Sequence, residues 1–155
     1  MAGNKLTYSA TDASADIHPE NIRIVNGSYV FDVAINSRLI KEVELNMGGM
    51  HNLENAIAAI AVAAHLNIEE EKVKKAVASF EGVKRRFEYV LKTTERVVID
   101  DYAHHPEELR ALIEGAKELF PTKKCTLVFQ PHLFSRTNDL ADGFAACLPA
   151  HGSTV

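Results

Sequence analysis

The sequence holds no tryptophan and only two cysteines, Cys125 and Cys147, in 155 residues. Two isolated thiols make neither a disulfide framework nor a zinc site, and a reducing cytoplasm is the expected compartment. Apolar runs are short: none approaches the ~20 residues a membrane span needs, so no membrane span is expected. The opening Met1-Ala2-Gly3-Asn4-Lys5 lacks the apolar stretch of a secretory signal. Excess positive charge is missing too. Lys and Arg number 17 against 21 Asp and Glu, a formal net charge of -4, and the cations form no dense patch, which argues against a nucleic-acid partner. What remains, 46% hydrophobic and 25% charged residues, is ordinary globular composition. It suffices for one domain or two small ones.

The chain is organised around Val97-Val98-Ile99-Asp100-Asp101-Tyr102-Ala103-His104-His105-Pro106. A β-branched run ends in two carboxylates, a tyrosine and two imidazoles. Pro106 then opens a segment with Leu109, Leu112, Ile113, Ala116, Leu119 and Phe120 on one helical face. The pattern predicts strand, loop and helix, with polar groups at the carboxyl end of the strand, where ligands bind in open α/β sheets. A capped loop, whose Asp and His satisfy backbone amides, is the plainer alternative.

Upstream, residues 5–46 read as strands. Asn26-Gly27 marks a hairpin turn; Tyr29, Phe31, Val33 and Ile35 alternate with Val30, Asp32, Ala34 and Asn36; Asn36-Ser37-Arg38 makes a second turn. Such a meander is expected to keep one face wet. After Gly48-Gly49 comes an Ala-rich helix, apolar on most faces over 56–66 and therefore expected to be buried. His51, Asn52 and Asn55 stand at its start, where free amides favour ligand acceptors, although a cap is the simpler role for His-Asn. Asn67 is expected to end this helix. A second follows, with Glu69-Glu70-Glu71 in its first turn and Val73, Ala76, Val77 and Phe80 on its buried face, stopped by Gly82.

Lys84-Arg85-Arg86 then precedes a strand over 88–91, which sets the expected boundary between two lobes. Beyond Pro121, residues 125–129 read as a buried parallel strand that would complete a right-handed crossover. Gln130-Pro131-His132-Leu133-Phe134-Ser135-Arg136-Thr137 follows, placing two loops rich in His, Asp and Arg at one sheet edge.

Four ordered motifs resemble one family. Gly49-Met50-His51-Asn52-Leu53-Glu54-Asn55-Ala56-Ile57-Ala58-Ala59 resembles the Mur ligase signature whose helix start holds adenine. Gly82-Val83-Lys84-Arg85-Arg86-Phe87-Glu88 is similar to the end of the central ATP-binding domain of those ligases. Asp100-Asp101-Tyr102-Ala103-His104-His105-Pro106 and Phe129-Gln130-Pro131-His132 resemble the UDP-N-acetylmuramate–L-alanine ligase branch. The related murein-tripeptide recycling ligase shares the double-His motif but carries Glu-Pro-Arg-Ser in its second loop. The resemblance runs over about residues 21–148.

The resemblance implies an α/β fold: antiparallel strands plus helices from the end of the central domain over 1–84, then a partial Rossmann-like C-terminal domain over 85–155. It implies a cytoplasmic, ATP-dependent ligase of peptidoglycan synthesis, in which ATP phosphorylates the muramate carboxylate and the L-alanine amine displaces phosphate. His51 and Asn55 would contact adenine, Arg86 and Asp101 the ribose and phosphate region. His104, His132 and Arg136 would line the amino-acid and acyl-phosphate side. Partners would be UDP-N-acetylmuramate, L-alanine and ATP, with Mg2+ held by residues upstream of this stretch.

Three departures stand out. No Gly-x-x-x-x-Gly-Lys-[Ser/Thr] loop occurs, so these residues alone are expected to be inactive. Leu133 replaces an Arg common among relatives, which shifts anion binding toward Arg136. The ending Pro149-Ala150-His151-Gly152-Ser153-Thr154-Val155 departs from the family's next strand. Two rival classes remain: a metal-dependent phosphoesterase, since Asp-Asp beside His-His could bind a divalent cation, and a non-catalytic module with a nucleotide-like surface.

Overall fold

The computed structural model describes residues 5–148; the divergent tail over 149–155 lies outside them. Two compact units divide the chain, the first ending at Gly82 and the second starting at Val83.

The first unit is built on an antiparallel sheet of β1 (Ile17–Val25), β2 (Ser28–Ile35) and β3 (Arg38–Leu45), in that order. Asn26 at φ 52 and Gly27 at φ 73 form the first two-residue turn. Positive φ at both centres gives the type I′ geometry that matches strand twist, and glycine takes it without a Cβ penalty. Regular strand begins at Ile17 rather than near residue 5; the earlier segment contributes only an isolated bridge from Tyr8 to Ile17. The polar segment over 9–16 closes local turns instead, such as the Asp12 carboxylate accepting the Ser14 amide at 2.8 Å.

The expected wet face is absent from β2. Tyr29, Phe31 and Val33 are buried, and so are Ser28, Asp32 and Ala34. As the central strand, β2 has both edges covered, and its polar side chains are bonded. Ser28 Oγ donates to Asn46 Oδ1 at 2.5 Å, and Asn46 Nδ2 donates to the Ala78 carbonyl at 2.8 Å. Asp32 accepts from Asn21 Nδ2 at 2.8 Å and from the Glu42 amide at 2.9 Å. This bridges a bulge between Phe31 and Val33, where Glu42 takes φ 57. The bulge explains why Ile40 and Val43, three apart, both point inward.

Two helices complete this unit. In α1 (Met50–His65), Leu53, Ile57 and Ile60 form a single buried stripe, while Val62 is 60% exposed. The expectation of burial on most faces is therefore not met: residues spaced by four and three meet the sheet on one side only. Asn67 ends the helix region at φ 54. In α2 (Glu70–Ala78) only Val73 is buried, and Ala76 and Phe80, expected inside, are exposed. Ser79 caps α2, three residues before Gly82, which does take the expected left-handed conformation at φ 83 and lies against the Met47 thioether.

In the second unit, β4 (Glu88–Lys92) pairs antiparallel with β5 (Val97–Asp100). Helices α3 (Pro106–Leu119), α4 (Phe134–Asp139) and α5 (Ala141–Cys147) follow. Leu109, Ile113, Phe144 and Cys147 form the core, with Leu127 and Phe129 packed against it. The parallel strand expected over 125–129 is not a strand among the described residues. Cys125, Leu127 and Phe129 are half-buried and alternate with exposed Thr126 and with Val128, which is 83% exposed. The segment keeps a period of two but is covered on one side only, and it joins no ladder, so the crossover is not completed here.

Asn21 and the Glu42 amide hold the Asp32 carboxyl below its ordinary value. A depressed folded-state value contributes stability above the unfolded carboxyl range that is lost as pH falls through the folded value. Asp32→Asn is thus expected to shrink the drop in urea midpoint between about pH 6 and about pH 3. An equal drop in both proteins would refute it.

Candidate functional site

The second unit carries a cleft of about 390 Å³, lined by Arg85 and residues 100–104 on one side and residues 129–132 on the other. Its near wall is where β5 runs out: an apolar strand that stops at two aspartates before Pro106 starts α3. Asp101 Oδ2 accepts the Phe87 amide at 2.7 Å, and the Tyr102 amide donates to the Arg85 carbonyl at 2.9 Å. These bonds fasten the 85–87 segment to the β5 loop. The segment needs fastening, because Arg85 and Phe87 adopt φ 58 and φ 50, a conformation that costs about 1 kcal/mol or more for residues with a Cβ. Phe87 is buried and meets Tyr89 edge-on at 5.6 Å, and Tyr89 meets Phe120 likewise at 6.3 Å. Burial pushes the Tyr89 hydroxyl up to about 12.

Tyr102 is the hub of the cleft. Its ring lies 5.2 Å from the His104 ring and 6.1 Å from the His132 ring, and the Arg85 guanidinium stands 5.9 Å over it. Arg85 Nε is also 3.8 Å from Asp100 Oδ2, an exposed pair of small energetic worth. His104 Nδ1 is 2.8 Å from the Tyr102 carbonyl. His105 caps α3, its Nδ1 accepting the Glu107 amide at 3.4 Å. The plainer reading of this loop is therefore right for His105, and for one oxygen of Asp101.

Asp101, His104 and His132 come together in this cleft. Arg86 and Arg136 do not line it: Arg86 is exposed between its two left-handed neighbours, and Arg136 is half-buried on α4. Among the described residues the Arg136 side chain makes no ion pair, with Asp139 or otherwise. His51 and Asn55 belong to the first unit, exposed one turn apart on α1. The imidazole of His51 lies back on Gly49, where a Cβ would come within 2.7 Å of its Cε1. Asn52 donates its amide to the Gly48 carbonyl at 2.7 Å, a local tie. Sequence reasoning missed Arg85, which was hidden in a run of cations, and Tyr102, which the flanking charges overshadowed. It also missed Glu108, although the spacing of three from His105 is that of a capping box.

Removing the Asp101 acceptor leaves the Phe87 amide without its partner. Asp101→Ala is expected to destabilise the second unit by ~1–3 kcal/mol, and Asp101→Asn, which keeps an oxygen, by less. Equal urea midpoints for the wild type and Asp101→Ala would show that this bond does not hold the segment.

Two family models match the chain: "Mur ligase middle domain" over residues 2–63 and "Mur ligase, glutamate ligase domain" over residues 85–155. The UDP-N-acetylmuramate–L-alanine ligase of Flavobacterium johnsoniae is 49% identical over 128 residues, which is 83% of this chain and 28% of that protein. The ligase of the same name from Parabacteroides distasonis is 48% identical over 144 residues, 93% of this chain and 31% of its own length. The crystal structure of UDP-N-acetylmuramate-alanine ligase from Thermotoga maritima superposes with a TM-score of 0.79 at 31% identity, covering 96% of this chain and 33% of that one. This chain thus spans about a third or less of the proteins it matches. With both domain models in order along the sequence and the fold shared over nearly all of its length, the chain belongs to the Mur ligase family.

Proposed function

We propose that this chain is a section of a cytoplasmic, ATP-dependent ligase that joins L-alanine to UDP-N-acetylmuramate in peptidoglycan synthesis. Residues 1–84 are assigned to the end of its central ATP-binding domain and 85–155 to the start of its C-terminal domain. The observation that carries this reading is the cleft in which Asp101, His104 and His132 converge, in a chain whose named relatives are ligases of that substrate pair.

The residues present suit the adenosine end of ATP. Asn55 is exposed, and its amide offers the donor and acceptor that match the N6/N7 edge of adenine. His51, seated on Gly49, presents an imidazole one turn away. Asp101 has a second oxygen for a ribose hydroxyl, and Arg86 carries charge for the phosphate side. ATP would supply the phosphoryl group that activates the muramate carboxylate. The phosphate loop and the Mg2+ ligands are assigned to the part of the ligase upstream of this stretch, since the sequence here has no Gly-x-x-x-x-Gly-Lys-[Ser/Thr] motif.

His104 and His132 are assigned to the side where the amine attacks, as groups able to accept its proton. Arg136 is assigned to the amino-acid carboxylate, for which a planar guanidinium gives forked hydrogen bonds.

A chimera tests the reading. Residues 21–148 of this chain replace their counterpart in the Flavobacterium johnsoniae ligase, and phosphate release is measured with ATP, UDP-N-acetylmuramate and either L-alanine or the tripeptide of the recycling ligase. Alanine-dependent release is expected; a folded chimera that works only with the tripeptide, or with neither, overturns the proposal. The 155-residue chain alone is expected to release none. In the chimera, Arg136→Lys is expected to lower kcat/KM for alanine by ~30- to 1000-fold, the equivalent of ~2–4 kcal/mol. The melting temperature should hardly move. Unchanged kinetics would remove Arg136 from the site.

A further inference from the structure

Of the two histidines in the cleft, His104 is the one whose ring is held by its surroundings. Its Nδ1 faces two acceptors, the Tyr102 carbonyl at 2.8 Å and Glu108 Oε2 at 3.4 Å. The same Glu108 oxygen accepts the His104 backbone amide at 2.9 Å. Glu108 stands in the first turn of α3, three residues after the capping His105, so it reaches back as the carboxylate of a capping box does. Burial works against its ionisation, but the His104 amide above all, aided by His104 and Arg86, holds its carboxyl below the ordinary range. It is an anion at neutral pH.

A ring nitrogen that faces two oxygen acceptors must carry the proton. The other nitrogen, Nε2, is then left as the acceptor, on a side chain that lines the cleft. We propose that Glu108 is a positioning residue: it holds His104 as the Nδ1–H tautomer, so that Nε2 is free to take a proton from the substrate amine. This rests on the ligase reading for the identity of the amine. In that step the N–H bond of the alanine ammonium breaks and its proton moves to Nε2. The freed nitrogen lone pair forms the amide bond at the activated carbonyl, the acyl carbon–oxygen bond breaks, and the phosphate that departs carries away the second amine proton. Glu108 touches none of these atoms and acts through His104.

Long-range 1H–15N NMR correlations on the uniformly labelled 155-residue chain report the tautomer of each histidine without substrate. His104 is expected as the Nδ1–H form when neutral. In Glu108→Ala the ratio of Nδ1–H to Nε2–H should fall by about threefold, the loss of a partly exposed carboxylate 3.4 Å from Nδ1 while the Tyr102 carbonyl remains. Should Glu108→Ala fail to fold, Glu108→Gln decides, because its amide oxygen keeps the backbone cap without the charge. An Nε2–H tautomer in the wild type overturns the proposal, and so does an unchanged ratio in the folded variant. The chimera separates this from the ligase reading: a tautomer shift in a chimera that is inert toward alanine would keep the positioning role and discard the amine.

Discussion

The second unit depends on one bond of the Asp101 carboxylate, the side chain also proposed to meet the ribose. Asp101 Oδ2 accepts the Phe87 amide, which holds Arg85, Arg86 and Phe87 in a path that L-residues resist. With the Tyr102 amide on the Arg85 carbonyl, this brings Arg85 over the Tyr102 ring and seats Phe87 beside Tyr89. The cleft wall, the aromatic stack and the entry to β4 are tied by one side-chain-to-backbone and one backbone hydrogen bond. A structural bond and the proposed ribose contact share one side chain, so its kinetic and its stability effects need separating by the choice of Asn or Ala.

The first unit solves a different problem with similar means. There a buried carboxylate, Asp32, spans a bulge and turns what would be an unsatisfied strand position into a fixed one. Asn46 performs the matching task at the far end of the sheet, joining β2 to the end of α2. Neither residue touches the proposed adenine contacts. They set the frame on which α1 stands, and α1 then offers His51 and Asn55 from its outer side.

Much of this was legible from local pattern. Asn26-Gly27, the helix from Pro106 and the loop between β5 and α3 each carry a strong short-range signal, since turn type, proline and period are decided by neighbours. What failed was inference that required knowledge of the other side of a surface. Alternation in β2 could not tell that its second face is also covered. The alanines of α1 could not tell which faces meet nothing among the described residues. The apolar run over 125–129 reads as a strand, but a strand needs a hydrogen-bonding neighbour that sequence period does not supply. At the site, residue type pointed to Asp101, His104 and His132. Arg85 and Tyr102 became visible only through ring distances, and Glu108 through a capping geometry that spacing hinted at.

The extended segment over 125–129 carries one further consequence. The near wall of the cleft hangs on hydrogen bonds, whereas the far wall, residues 129–132, follows a segment outside any ladder and anchored by Leu127 and Phe129 on the helical core. Phe129 lies 5.2 Å from Phe144. Hydrophobic anchoring weakens on cooling, while hydrogen bonds carry no such dependence on the ordering of water. The two walls therefore answer temperature differently. On cooling, the side that bears His132 is expected to lose more of its hold than the side that bears His104, where Ala103 packs on the same core but hydrogen bonds add to it.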